Sequence, residues 1–225
     1  MPMLGPEEIR ANFAQVEARI RAACQRAGRE RSDVTLVAVT KTFPAESVGA
    51  AIAAGATDVG ENKVQEARDK KPISQGQARW HLIGHLQSNK AKDAVRIFDV
   101  IQTIDTIALA EKVAKAAAAA NKRQAVLLEI NIGREPQKAG ADPAEVEALA
   151  AAVARIDELS LTGLMTIPPA GDERSTRAYF AEMRKMGDAL GLDHLSMGMT
   201  DDFEAAIEEG ATIIRVGRAI FGSRG

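Results

Sequence analysis

The chain has 225 residues, 46% of them hydrophobic, with 29 basic and 31 acidic side chains and a formal charge of −2. That near-balance lacks the basic footprint of a nucleic-acid binder. The single cysteine, Cys24, rules out an intramolecular disulfide or a multi-cysteine metal site. No apolar run approaches the ~20 residues a membrane span needs. Met1 to Glu8 show no basic segment followed by an apolar one, so a cytoplasmic protein without a secretory signal is expected.

In chain order, an amphipathic helix is predicted over about 7–27, followed by short β-branched runs alternating with longer helix-like segments. The strands fall at 34–40, 57–60, 80–83, 100–104, 125–131, 159–167, 194–197 and 212–216. The intervening helices fall at 44–54, 63–71, 89–98, 106–120, 143–156, 173–190 and 202–209. Pro44 and Pro143 suit first-turn positions, Ser88, Asp105 and Asp142 suit N-caps, and Gly55, Gly191 and Gly210 stand where helices should stop. Such alternation argues for a parallel sheet, and eight strands in this length fit a (β/α)8 barrel of the TIM type. A doubly wound open sheet is the competitor, but no strand–GxGxxG–helix unit opens the chain. No linker rich in Pro, Gly or Ser divides residues 1–225, which read as a single domain.

In a TIM-type barrel the chemistry lies at the C-terminal strand ends. Lys41 closes the first strand. Burial lowers the pKa of an ammonium, and the free amine condenses with aldehydes, so a strand-end lysine is a candidate Schiff-base former. The alternative is a lysine whose stem lies on the strand with its head in water. Strand 7 ends Ser196-Met197-Gly198-Met199-Thr200-Asp201-Asp202 and strand 8 ends Arg215-Val216-Gly217-Arg218. The loops after these two strands often form a phosphate cup. The competing reading has Ser196 and Thr200 capping the helix at Asp202, with Gly217 serving a turn. Arg215 shares a strand face with Ile213 and should point inward, to meet either a pyridine nitrogen or a carboxylate such as Glu61. His81 and His85 flank the third strand's exit. They are candidates for lining the mouth, with Met197 and Thr200 beside them, although a structural role is the commoner one for each histidine and a core role for Met197.

Val39-Thr40-Lys41, Gly60-Glu61-Asn62, Trp80 to Lys90, Gly163 to Pro168, Leu195 to Glu204 and Arg215-Val216-Gly217 together closely resemble the pyridoxal phosphate homeostasis protein family. The resemblance spans about residues 7–222. It implies a barrel like the N-terminal domain of alanine racemase, the type III fold of pyridoxal 5′-phosphate (PLP) proteins. It also implies Lys41 carrying PLP as an internal aldimine, and Ser196 with the amides around Gly217 and Arg218 holding the phosphate. Arg215 would face the ring nitrogen and Asn62 the ring hydroxyl. Two positions depart from the family pattern: Lys63 replaces a usual tyrosine and Arg218 a small hydroxyl residue.

An arginine at the ring nitrogen keeps it unprotonated and makes the cofactor a shallow electron sink. The only tyrosine, Tyr179, lies inside the predicted helix 173–190, and the chain ends at Gly225 without a second, racemase-type domain, so a two-base racemization lacks one base. The expected function is intracellular PLP homeostasis, by buffering or delivery, without robust turnover. The expected partners are PLP and the apo-forms of PLP-dependent enzymes, with no metal, nucleic acid or membrane. An amino-acid racemase or related PLP enzyme is the alternative, and a barrel binding another phosphorylated metabolite is the third.

Overall fold

The structure is a computed structural model and describes residues 4–222. Eight parallel strands close into a barrel in sequence order: β1 (Thr35–Val39), β2 (Asp58–Glu61), β3 (Arg79–Leu82), β4 (Val100–Ile104), β5 (Gln124–Ile130), β6 (Leu159–Thr166), β7 (His194–Ser196) and β8 (Ile213–Val216). Pairing of β8 with β1, Ile213 opposite Thr35 and Val216 opposite Ala38, closes the ring. The crossover helices are α2 (Ala45–Ala53), α3 (Val64–Lys70), α4 (Ala91–Ile97), α5 (Ile107–Ala119), α6 (Val146–Ala154), α7 (Glu173–Leu190) and α8 (Phe203–Glu208). The additional helix α1 (Pro6–Arg26) packs against α2, α8 and the short closing helix α9 (Arg218–Phe221).

The period-two strand pattern sorts the side chains into two shells. Leu36, Ala38, Val59, Leu82, Ile101, Val126, Leu128, Leu164, Leu195, Ile214 and Val216 face outward, into the large core between sheet and helices. A smaller cluster of Val37, Val100, Leu127, Met165 and Ile213 fills the interior. Gly60 belongs to that interior, where a Cβ would stand 2.8 Å from Val37 Cγ1.

The predicted order of elements holds throughout, and the differences lie at the caps. The Thr106 hydroxyl, not Asp105, accepts from Leu109 N–H at 3.2 Å and caps α5. Asp142 caps a 3-10 turn at Pro143–Glu145 that precedes α6, and Ser88 begins a 3-10 turn before α4. Pro44 sits at the N-cap of α2 rather than inside its first turn. Gly191 ends α7 in the left-handed conformation, φ +64°, that glycine adopts without a steric penalty. The helix α9 has only four residues, too short for a periodic signal, and was not expected from the sequence.

Candidate cofactor site

Lys41 lies two residues past the end of β1, in the turn that follows it, and is partly buried. Its neighbours are fixed on the helix side of the sheet. The Thr40 hydroxyl donates to Glu61 Oε1 at 2.7 Å, and Thr42 N–H donates to Glu66 Oε2 at 2.9 Å. Glu61 is fully buried and meets Lys70 Nζ at 2.8 Å. Burial pushes its carboxyl above the usual range, against the opposing pull of Lys70 and Thr40. For Glu66 burial acts the same way, but the Thr42 N–H and Lys70 outweigh it and hold the carboxyl below that range.

Arg215 does point inward. It is 3% exposed, and burial holds its pKa down to about 10 against the pull of Glu129 and Asp202, so it stays cationic at neutral pH. Its guanidinium does not meet Glu61, which lies on the other face of the sheet. Nη2 donates to the Thr166 carbonyl at 2.8 Å and Nη1 to Ser196 Oγ at 2.7 Å. From Ser196 a buried relay crosses the barrel. Its hydroxyl donates to Gln102 Oε1 at 2.6 Å, Gln102 Nε2 donates to His81 Nδ1 at 2.8 Å, and His81 Nε2 donates to Asp58 Oδ1 at 2.8 Å. With every donor pointing the same way, His81 must carry its proton on Nε2. Burial of Asp58 opposes its ionisation, yet the His81 and Thr57 hydrogen bonds prevail and hold its carboxyl below the usual range. A cation at the C-terminal end of β8 is thereby linked to an anion at the start of β2.

The relay and the strand faces place the candidate site residues. Ser196 is fully buried, and its hydroxyl accepts from Arg215 and donates to Gln102, so it helps orient the arginine. His81, 2% exposed, is turned inward by strand β3 and has the satisfied, structural role of a barrel-interior group. Met197 faces the opposite way and is buried in the helix-side core. His85 and Thr200 do sit at the rim: His85 is exposed, with Nδ1 3.9 Å from Asp105 Oδ2, and Thr200 is half-buried in the loop after β7.

That loop turns at Gly198, φ +93°, where a Cβ would lie 2.5 Å from Ala206 Cβ. Asp202 Oδ1 accepts from Met199 N–H at 2.6 Å, and Gly198 O accepts from Arg215 N–H at 3.0 Å, tying the loop to β8. On β8's side, a Cβ at Gly217 would come within 3.3 Å of Val39 O, so glycine keeps this backbone close to β1. The Arg218 guanidinium pairs with the Asp201 carboxylate and bridges the two loops from their exposed side. Asn62 follows β2 and backs onto Gly84, whose missing Cβ would fall 2.4 Å from Asn62 O.

Asp58, Gln102 and Glu129 escaped the sequence reading, though each holds an inward position on its strand's two-residue period. Glu129 on β5 has a buried Oε2 with no partner, and burial, with the nearby Asp105 charge adding to it, raises its pKa to about 7 against Arg215. Among the described residues, no three His, Cys, Asp or Glu side chains gather to hold a metal, and no helix is long and apolar enough to cross a membrane.

A barrel with a lysine in the turn after β1, a buried arginine on β8 and a glycine-lined double loop between β7 and α9 defines a class, and comparison with known proteins agrees. The family profile described as "Alanine racemase, N-terminal domain" matches residues 11–225. The pyridoxal phosphate homeostasis protein of Pseudomonas aeruginosa is 43% identical over 220 residues, covering 96% of each chain. That of Escherichia coli K12 is 42% identical over 229 residues, covering 96% of this chain and 97% of its own. The structure of PipY from Synechococcus elongatus with PLP bound superposes with a TM-score of 0.80 at 38% identity, covering 91% of this chain and 99% of PipY. Alanine racemase from Streptomyces lavendulae shares the fold alone, with a TM-score of 0.73 at 20% identity over 58% of that enzyme. The chain belongs to the pyridoxal phosphate homeostasis protein family.

Proposed function

We propose that this protein binds PLP through Lys41 and acts in intracellular PLP homeostasis, holding or delivering the cofactor to apo-forms of PLP-dependent enzymes without robust turnover. The observation that carries the reading is that Lys41 and the buried Arg215 come from paired strands at the same barrel end, beside a loop pair narrowed by Gly198 and Gly217. The PLP-bound PipY relative supports it.

The residues fit the group. Lys41 would hold the group through its amine, and PLP, when bound, would supply an aldehyde for that attachment and an electron-withdrawing ring. Arg215, a donor at every nitrogen, would face the ring nitrogen and keep it unprotonated. Ser196 and the Thr166 carbonyl hold the guanidinium for that task. Asn62, backed by Gly84, would face the ring hydroxyl. The backbone amides at Gly217 and Arg218, together with Ser196, would hold the phosphate, with Thr200 at the rim beside them.

Weak turnover follows from two features. The arginine leaves the ring a shallow electron sink, and Tyr179 packs on the helix-side core, remote from the interior relay. The racemase alternative draws on one observation, the Glu129 carboxyl, which can hold or release a proton near neutral pH. Assay of alanine and serine racemization by the PLP-loaded protein decides between them. The proposal expects rates well below the order of 1–10³ s⁻¹ typical of enzymes. Turnover inside that range, lost in Glu129→Gln, would establish the alternative.

A further inference from the structure

The residues flanking Lys41 are held by a compact charged cluster that the cofactor reading leaves unused. Lys70, at the end of α3, has an ammonium with three donors. Its three acceptors are Glu61 Oε1 at 2.8 Å, Glu66 Oε2 at 3.3 Å and the backbone carbonyl of Thr40 at 2.9 Å. The same two carboxylates hold the flanks of Lys41: Glu61 Oε1 takes the Thr40 hydroxyl and Glu66 Oε2 takes the Thr42 N–H. Thr42 stands at φ +69°, the left-handed region that a β-branched residue rarely enters. Such strain persists only where the surroundings impose it.

A cluster that merely stapled α3 to the sheet would need only the Glu61–Lys70 pair. Here the ammonium and both carboxylates converge on the two residues either side of one lysine. Glu66 and Lys70, four residues apart on α3, share the helix face that reaches them.

We propose that Glu61, Lys70 and Glu66 form a positioning unit for Lys41. Resting on the reading of Lys41 as the attachment lysine, this assigns the unit the task of fixing both flanking peptide units, with Glu66 holding Thr42 in its left-handed turn, so that the Lys41 side chain leaves β1 toward the mouth. The unit touches neither the cofactor nor the reacting atoms. It acts by raising the population of the one loop conformation in which Lys41 is delivered.

The test uses the full chain. Two quantities are measured for each variant: the rate at which added PLP develops the visible absorbance of its lysine adduct, and amide hydrogen exchange of the peptide covering residues 40–43 in cofactor-free protein. Glu66→Ala, at a partly exposed position, should speed that exchange and slow adduct formation at least tenfold while leaving cooperative unfolding intact. Glu66→Gln keeps an oxygen for the Thr42 N–H and should stay within about threefold of wild type. Thr42→Gly, neutral by itself, should recover at least threefold of the rate in the Glu66→Ala background, because glycine takes positive φ without strain.

If Glu66→Ala loosens the peptide but forms the adduct within twofold of the wild-type rate, the unit holds backbone without positioning the lysine and the inference is overturned. If Glu66→Ala does not fold, Thr42→Pro at its exposed site removes the same N–H and forbids the same φ. It should lose the rate alike, and a wild-type rate would overturn the inference equally. The underlying reading fails differently: borohydride reduction of wild type would then leave no pyridoxyl group on Lys41.

Discussion

Glu129 is the residue whose ionisation most directly links stability to pH. In the unfolded chain its carboxyl ionises near its ordinary pKa of about 4.5, whereas in the barrel it stays neutral until about pH 7. Between those values the unfolded state binds fewer protons, so this group's contribution is complete below about pH 4.5 and is lost as pH rises to about 7. Glu129→Gln should therefore flatten the pH dependence of urea unfolding and raise stability at pH 8 relative to wild type by roughly 1–3 kcal/mol. An unchanged difference between pH 5 and pH 8 would show that Glu129 ionises as freely in the fold as outside it. Arg218, also a single-residue matter, pairs with Asp201 across solvent, and exposed pairs contribute little. Arg218→Thr should speed loss of PLP on dialysis by less than about tenfold, since a hydrogen bond to a charged group contributes about 1.5–3 kcal/mol and here is screened by salt. Gly217→Val should speed it more, because its Cβ enters the space beside Val39. The reverse order would place phosphate recognition on the arginine side chain.

Among the elements, the loop from β7 to α8 depends most on backbone conformation. Gly198 combines φ +93° with contact against Ala206 and Phe203 of α8, and its carbonyl receives the Arg215 N–H. Gly198→Val should cost several kcal/mol of stability through left-handed strain and overpacking, and should impair PLP retention in whatever fraction folds. Retention equal to wild type in a folded variant would remove this loop from the site. The elements themselves were legible because β-branched runs and longer helical runs alternate along the whole chain. What escaped was directional. Strand periodicity placed Arg215 inward through Ile213, and the same rule applied to β2, β3 and β4 would have put Asp58, His81 and Gln102 inside as well. A lone polar residue in a short strand gives little reason to apply it. Ser196, the last residue of β7, follows the strand into the barrel, and Met197, one residue on, follows the opposite face.

For the molecule as a whole, a barrel interior of this fold is usually filled by branched apolar residues. Here Val37, Val100, Leu127, Met165 and Ile213 share it with a relay from Arg215 to Asp58. A buried cation is tolerable only when paired and hydrogen-bonded, and this relay supplies hydrogen bonds while leaving the guanidinium close to the mouth. Outside, α1 is fastened by Arg19 to Glu204 at 2.8 Å and by Arg26 to Glu208 at 2.7 Å, both on α8, the helix that follows the β7 loop. No periodicity in the sequence marks these long-range pairs, because they join residues more than 180 positions apart. The central claim is that this architecture converges on one lysine. The most direct measurement is borohydride reduction of the PLP-loaded protein followed by peptide mass mapping. The account predicts a single pyridoxyl group on Lys41, absent from Lys41→Ala; a label on Lys63 or Lys70 instead, with Lys41 unmodified, would contradict it.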